Sequence, residues 1–98
     1  MVIDEIPSKY RTDVQTATKI LKQEGCKDIY LFGSLVTGDI NEYSDIDIGI
    51  KGLPAEKFFD VYSKIYLTLA NRIDLVDFDS NQDFYNLLSR LDEVRKIA

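Results

Sequence analysis

One stretch near the middle of the chain alternates isoleucine with small or acidic residues: Ser44 to Ile50 reads SDIDIGI. Because successive side chains of a β-strand point to opposite faces of the sheet, the isoleucines share one face. Asp45, Asp47 and Gly49 share the other face. The pattern therefore predicts a strand that buries one apolar face and projects two carboxylates together from the opposite face.

The two carboxylates, Asp45 and Asp47, would lie about 6–7 Å apart along such a strand. Two like charges at that spacing are unfavourable unless a cation lies between them. Short carboxylate side chains suit Mg²⁺, which usually keeps waters and takes substrate phosphates as its remaining ligands. The pair therefore predicts a magnesium site rather than a contribution to the fold.

A third carboxylate lies in the segment from Arg72 to Phe78, which reads RIDLVDF and is typical of a strand. If this strand lies beside the first, Asp74 joins Asp45 and Asp47 in a cluster that can hold one or two metal ions and help deprotonate an attacking hydroxyl. Asp77 has the opposite parity, so Asp74 and Asp77 cannot both face the site. Asp74 is favoured, because Asp77 lies nearer the strand end and can be solvated there.

A glycine–serine pair, Gly33 and Ser34, follows another predicted strand at Asp28 to Phe32. Glycine lets the backbone approach a phosphate closely, and exposed amides followed by a helical turn bind anions. Ten residues separate Ser34 from Asp45. This strand–loop–strand path brings a predicted phosphate site beside the predicted metal ligands.

Composition excludes several classes of site and of partner. The sequence has no histidine, which excludes Ser-His-Asp triads and histidine-ligated zinc. The net charge of −5 disfavours direct binding of nucleic acid, because a duplex-binding surface needs lysine and arginine to replace counterions. No apolar run approaches the about 20 residues that span a membrane. Chemistry is therefore expected from carboxylates, hydroxyls, amines or oxygen-ligated metal ions.

The length of 98 residues predicts a single domain over residues 1–98. The start, MVIDEIPSKY, lacks the pattern of a secretory signal, and the single cysteine, Cys26, cannot form an internal disulfide. Both features predict a cytoplasmic protein.

Helical periodicity predicts three helices around the strands: one from Ser8 to Gly25, one from Pro54 to about residue 70, and one after Ser80 whose apolar stripe runs to Val94. The element order is then α-β-β-α-β-α, an α/β layer of three strands covered by helices. A helix between the second and third strands favours a parallel pair there. Most apolar side chains of the last two helices are predicted to be core, with a surplus that leaves a homo-oligomer or partner interface open. These side chains are Phe58, Phe59, Tyr62, Tyr66, Phe84, Leu87, Leu88 and Leu91.

The combined pattern G-S-x(10)-D-x-D, with a later strand that carries an aspartate between apolar residues, resembles the nucleotidyltransferase superfamily of DNA polymerase β. At this length the chain resembles the minimal nucleotidyltransferases that are often encoded beside HEPN-domain proteins. The resemblance implies a polymerase β-like fold with a small mixed sheet. It also implies that Gly33 and Ser34 hold the β- and γ-phosphates of a nucleotide, that Asp45 and Asp47 bind Mg²⁺, and that Asp74 is the third carboxylate.

Two segments depart from the family pattern. Members commonly carry arginine in GSxARG, whereas this chain reads GSLVTG, with Thr37 at the arginine position. One contact that could neutralise phosphate charge is therefore missing. The C-terminal end, LLSRLDEVRKIA, also differs from the frequent ending with an apolar-tyrosine tail.

The function that the resemblance implies is the Mg²⁺-dependent transfer of AMP from ATP to a hydroxyl of a partner protein. The implied partner is a HEPN ribonuclease toxin, silenced by AMP on a tyrosine, which would make this chain an antitoxin. Two alternatives stay open. The chain could neutralise its partner by contact alone, which Thr37 favours, or it could nucleotidylate a small molecule, against which the lack of a second domain argues.

Overall fold

The computed structural model of the protein describes residues 6–41 and 44–98. Within these ranges four α-helices and four strands follow one another along the chain. They are α1 (Ser8–Gln23), β1 (Asp28–Phe32), α2 (Ser34–Thr37), β2 (Ile46–Lys51), α3 (Phe58–Thr68), β3 (Ile73–Asp77), α4 (Gln82–Arg90) and β4 (Val94–Lys96). A short 3₁₀ turn, Ala55–Lys57, leads into α3.

The strands form one mixed sheet in the order β3-β2-β1-β4. β1 pairs antiparallel with β2 and with β4, whereas β2 and β3 run parallel. Parallel strands need a crossover connection, and α3 makes this connection between β2 and β3. The predicted α/β fold with a small mixed sheet is therefore confirmed.

One face of the sheet carries the main core, as the isoleucine alternation predicts. Ile46, Ile48 and Ile50 of β2 are fully buried. They belong to the same apolar cluster as the buried side chains of α1 and α3, among them Val14 and Ile65. Because the isoleucines face this cluster, Asp47 and Gly49, which alternate with them, face away from α1 and α3.

The opposite face of the sheet is covered in part by α4. Tyr30 and Phe32 of β1, Phe78 and Leu88 form a second buried cluster there. The ring of Phe78 lies so close to Gly49 that a β-carbon at this glycine would collide with it. This packing covers the face around Gly49, two positions after Asp47 in β2.

The last helix ends earlier than its apolar stripe predicts. α4 ends at Arg90, and Val94, predicted to continue the helix, instead begins β4. Asp92 adopts a positive φ of 56°, and the Glu93 N–H donates to the Leu88 carbonyl at 2.9 Å. This is the hydrogen-bonded C-terminal motif that reverses a chain after a helix, and it lets the last residues pair with β1.

The helices α3 and α4 expose more apolar surface than the stripes predict. The exposed large side chains are Phe59, Tyr66, Leu67, Phe84, Leu87 and Leu91. The prediction that Phe84, Leu87 and Leu91 are core was therefore wrong, because α4 packs on the sheet through Leu88 and Tyr85. Of that stripe, Leu88 is buried.

Two smaller predictions also have structural outcomes. The connection between β1 and β2, a loop in the predicted strand–loop–strand path, contains the one-turn helix α2, while residues 42–43 lie outside the described residues. None of the described helices is both long and apolar enough to cross a membrane.

Asp13 of α1 is a buried carboxylate that holds the loop between α3 and β3. It accepts hydrogen bonds from the backbone N–H of Ala70 at 3.2 Å and of Asn71 at 2.7 Å, and from the Asn71 side chain at 2.9 Å. Only 7% of the residue is exposed. The contacts tie α1 to the segment that enters β3.

Asp13→Ala should lower the free energy of unfolding by roughly 2 kcal/mol, because it leaves these donors without their charged acceptor. Urea denaturation measures this difference. Gln15→Ala, at an exposed position of the same helix, is the matched control and should unfold like the wild type. Equal stability of the two variants would show that the Asp13 contacts do not hold the loop.

Candidate active site

The face of the sheet that α1 and α3 leave free presents the predicted carboxylates. Asp47 lies in β2 with Phe32 of β1 as its partner on one side and Asp74 of β3 as its partner on the other. Asp45 directly precedes β2 and has the same parity as Asp47. The structure therefore brings Asp45, Asp47 and Asp74 together, and these three residues are called the carboxylate site below.

Asp47, at the centre of the carboxylate site, is half-buried, whereas Asp74 is exposed. Burial raises the pKa of the Asp47 carboxyl to about 6, and the neighbouring charges of Asp74 and Asp45 raise it further in the same direction. The negative form of Asp47 is thus disfavoured in the protein alone. A bound cation would reverse this effect.

Asp45 carries an oxygen that the protein leaves without a hydrogen bond. Its Oδ1 atom is buried and makes no hydrogen bond among the described residues. The Nε atom of Arg72 lies 3.5 Å from this oxygen, within the range of an ion pair but too far for a well-formed hydrogen bond. The Oδ1 atom is therefore a carboxylate acceptor whose hydrogen-bonding capacity the described residues leave unused.

Gly33 brings the backbone after β1 directly against Asp47. Its φ of 71° and ψ of −145° are open to glycine and costly for other residues. A β-carbon at this position would overlap the Oδ2 atom of Asp47. Gly33 also starts α2, since its carbonyl accepts the N–H groups of Val36 and Thr37 at 3.0 Å each. The structure thus places Gly33 and Ser34, the predicted phosphate-binding pair, beside the carboxylate site.

Asp77, the alternative third carboxylate, lies at the other end of β3, where its partner in the sheet is Ile50. Its side chain accepts hydrogen bonds from the Asp79 N–H at 3.0 Å and from the Ser80 hydroxyl at 3.2 Å. Asp77 therefore stabilises the turn after β3. Of the two candidates, the structure brings Asp74 next to Asp47.

The carboxylate site offers hard oxygen ligands of the kind that Mg²⁺ prefers. Two observations fit such an ion: the Oδ1 atom of Asp45 makes no hydrogen bond among the described residues, and burial together with the charges of Asp74 and Asp45 raises the pKa of Asp47. In the described part of the chain, no three acidic or cysteine side chains converge tightly enough to enclose an ion by themselves. A Mg²⁺ ion that used one or two of these carboxylates would complete its shell with water and phosphate oxygens.

Arg72 is a residue of this face that the sequence reasoning did not single out. The signal was present, because Arg72 precedes Asp74 by two positions and therefore shares its face. Lys51, another nearby base in the sequence, lies at the opposite end of β2 and packs its ammonium group 3.5 Å from the ring centre of Tyr85. Among the ion pairs of the described residues, the one that involves the carboxylate site is Arg72–Asp45.

Comparison with known proteins identifies the family of the chain. A family model described as polymerase beta, nucleotidyltransferase matches residues 15–92 of the chain. No curated protein matches the sequence significantly.

Two solved structures are similar to this chain. The first is a crystal structure of a toxin–antitoxin with AMP-PNP, which aligns with a TM-score of 0.67 and 23% identity over 92% of this chain and 72% of that chain. The second, a candidate nucleotidyltransferase from Sulfolobus solfataricus, aligns with a TM-score of 0.44 and 22% identity over 79% of this chain and 80% of that chain. The first alignment supports the fold. Because the family model covers most of the sequence, the chain belongs to the polymerase β nucleotidyltransferase family, as its G-S-x(10)-D-x-D pattern predicts.

Proposed function

We propose that this nucleotidyltransferase uses Mg²⁺ to transfer AMP from ATP to a hydroxyl group of a partner protein, and that the partner is a HEPN-domain toxin. The observation that carries the proposal is the carboxylate site itself, in which Asp47 lies between Asp74 on β3 and the glycine turn after β1. An acidic cluster beside a glycine turn is suited to a metal-bound polyphosphate.

In the proposed reaction the acceptor oxygen attacks the α-phosphorus of ATP, the bond to the β-phosphate breaks, and pyrophosphate leaves. Bound Mg²⁺ would neutralise the charge that develops on the phosphates. Asp45 and Asp47 would hold the ion. Asp74, the exposed member of the site, would accept the proton of the attacking hydroxyl, because an exposed carboxylate can be reached by a second molecule.

The neighbouring phosphate site in this proposal is Gly33 and Ser34, which would hold the β- and γ-phosphates. Since a side chain at Gly33 would overlap Asp47, the backbone of this turn can approach a phosphate that a metal ion also binds. Catalysis would then come mainly from positioning and from electrostatic stabilisation.

A protein acceptor is supported by two observations. The similar toxin–antitoxin structure contains AMP-PNP, an ATP analogue, which makes a toxin a reasonable acceptor to test. The chain also exposes large apolar side chains on α3 and α4 that a protein partner could cover.

The test uses ATP labelled at the α-phosphate, Mg²⁺ and the product of the adjacent gene. We expect a labelled partner band that disappears without Mg²⁺ and in the double variant Asp45→Asn, Asp47→Asn. Asp60→Asn, at an exposed position of α3, is the matched control and should keep full transfer. In the same assay Asp74→Asn should lose transfer if Asp74 is the third carboxylate.

A second candidate function is neutralisation by contact alone. Thr37, exposed at the end of α2, places a short neutral side chain where the family commonly has arginine. If the partner co-purifies with the double aspartate variant, and neither the wild type nor this variant transfers label, the chain is a binding antitoxin. The enzymatic proposal is then wrong.

A further inference from the structure

We propose that Arg72 binds the phosphate groups of the nucleoside triphosphate and so supplies the positive charge that Thr37 does not. The inference rests on the proposed function. It assigns a phosphate-binding role to the residue directly before β3 rather than to a residue of the loop after β1. In the protein alone, Arg72 instead neutralises Asp45.

The position of Arg72 carries the first part of the argument. β2 and β3 pair in parallel with Ile46 opposite Ile73, so Asp45 and Arg72 are neighbours at the edge of the carboxylate site. The Ile46 N–H donates to the Arg72 carbonyl at 2.9 Å, which fixes the backbone of Arg72 against the start of β2. The guanidinium group therefore begins from a fixed point beside the site.

The contact between Arg72 and Asp45 is loose enough to be exchanged. The Nε and Oδ1 atoms are 3.5 Å apart, and no hydrogen bond joins them. The Arg72 side chain is 84% exposed, so the fold does not depend on its packing. An ion pair of this kind contributes little to stability. A metal ion at the Oδ1 atom of Asp45 would displace the guanidinium.

The displaced guanidinium would have new anions within reach. The phosphates that bind the same ion lie next to it by definition, and arginine pairs with phosphate oxygens through two parallel hydrogen bonds. Two other basic side chains already have different partners. Lys51 packs on the ring of Tyr85, and Lys96 pairs with Asp28 at 2.9 Å.

The hydrogen bonds of the buried Asp13 carboxylate also fix the backbone next to Arg72. Asn71, the residue before Arg72, is held by the Asp13 carboxylate through its backbone and its side chain. The main chain at Arg72 is thus anchored from both sides, while its side chain is exposed and holds Asp45 only loosely. A fixed backbone with an exposed cationic side chain suits a residue that exchanges partners when substrate binds.

The test measures binding rather than activity. Calorimetry would give the affinity of the wild type and of Arg72→Ala for Mg²⁺–ATP and for Mg²⁺–tripolyphosphate. It would also give the affinity for Mn²⁺ alone, a spectroscopically visible substitute for Mg²⁺. We expect Arg72→Ala to weaken both phosphate ligands about tenfold, the effect of losing one charge-assisted contact. Its affinity for Mn²⁺ alone should be equal or higher, because a competing cation has been removed from Asp45.

Two variants serve as controls. Lys64→Ala removes an exposed ion pair of similar length, 3.6 Å to Glu24, away from the carboxylate site, and should bind all three ligands like the wild type. Arg72→Lys keeps the charge but loses the paired hydrogen bonds, so its affinity for the phosphate ligands should lie between those of the wild type and Arg72→Ala.

Three results would overturn the proposal. Equal affinity of Arg72→Ala and wild type for Mg²⁺–ATP would leave Arg72 as a counter-ion of Asp45, with the proposed function intact. Equal losses for Mn²⁺ and for the phosphate ligands would show that Arg72 only shapes the carboxylate site. A wild type that binds no nucleotide would overturn both this inference and the proposed function.

Discussion

Replacing Asp47 by asparagine should stabilise the metal-free protein while it lowers nucleotidyl transfer by roughly a hundredfold or more. The stabilisation follows from the position of Asp47 between two other carboxylates. Burial, with the charges of Asp74 and Asp45, raises the pKa of Asp47 to about 6. At neutral pH the folded protein therefore holds an unfavourable charge that asparagine does not carry.

The stabilisation by Asp47→Asn should depend on pH. Because the pKa of Asp47 is higher in the folded than in the unfolded chain, the folded protein binds more protons between about pH 4 and pH 6. The stability that Asp47 contributes when protonated is present below about pH 4 and is lost as the pH rises through about 6. Asp47→Asn does not lose stability in this way. Its free energy of unfolding should therefore exceed that of the wild type only slightly at pH 4 and by the full amount above pH 7.

The size of the advantage is limited by solvent, because Asp47 is only half-buried. After a discount for screening, we expect about 1–2 kcal/mol at pH 7.5 in the absence of divalent ions. For a domain of this length each kcal/mol raises the melting temperature by roughly 4–8 °C. Thermal melts of both proteins in EDTA at pH 4.5 and 7.5 measure the effect.

Addition of Mg²⁺ gives the control within the same experiment. An ion that binds the folded wild type should raise its melting temperature, whereas the variant, which lacks one ligand, should respond less. Asp60→Asn, which removes an exposed charge from α3, should melt like the wild type in all buffers. A marked destabilisation of Asp47→Asn in EDTA would show that Asp47 supports the fold, and the metal-site interpretation would lose its physical basis.

The local pattern of the sequence was sufficient to predict the faces of β2. Isoleucine at every second position left the aspartates only one face to occupy, and the structure buries Ile46, Ile48 and Ile50 completely. The meeting of Asp47 and Asp74 was a weaker inference, because it depends on the register of two strands far apart in the chain. Parity could exclude a shared face for Asp74 and Asp77, but only the observed pairing places Asp74 beside Asp47.

Features that depend on tertiary contacts were missed. β4 has three residues and carries two basic side chains, so nothing in its composition distinguishes it from the end of a helix. Asp13 falls on the buried stripe of α1, between Tyr10 and Ala17, but its hydrogen-bond partners lie 57 and 58 positions later in the chain. An arginine directly before a strand is usually exposed to solvent. That Arg72 lies beside Asp45 follows only from the pairing of β2 with β3.

Replacement of Gly33 by alanine should damage both the fold and the site. The backbone there, with φ 71° and ψ −145°, costs a non-glycine residue about 1–3 kcal/mol. The added methyl group would also overlap the Oδ2 atom of Asp47 and must push the carboxylate or the turn aside. We expect a total loss of about 2–4 kcal/mol in the free energy of unfolding, and transfer below detection. Urea denaturation and the labelled-ATP assay measure the two effects.

Gly25→Ala separates backbone strain from the steric contact. Gly25 also has a positive φ, 90°, but a β-carbon there would meet no atom within 4 Å. This control should lose stability through strain alone and keep transfer. The two variants should differ further at Asp47 itself. If the methyl group at Gly33 drives the carboxylate toward solvent, the pKa of Asp47 measured by NMR should fall toward the ordinary value for aspartate, because burial is the largest cause of its rise. Equal unfolding midpoints for the two variants, with an unchanged Asp47 pKa and full transfer, would contradict the close approach of the turn to the carboxylate site.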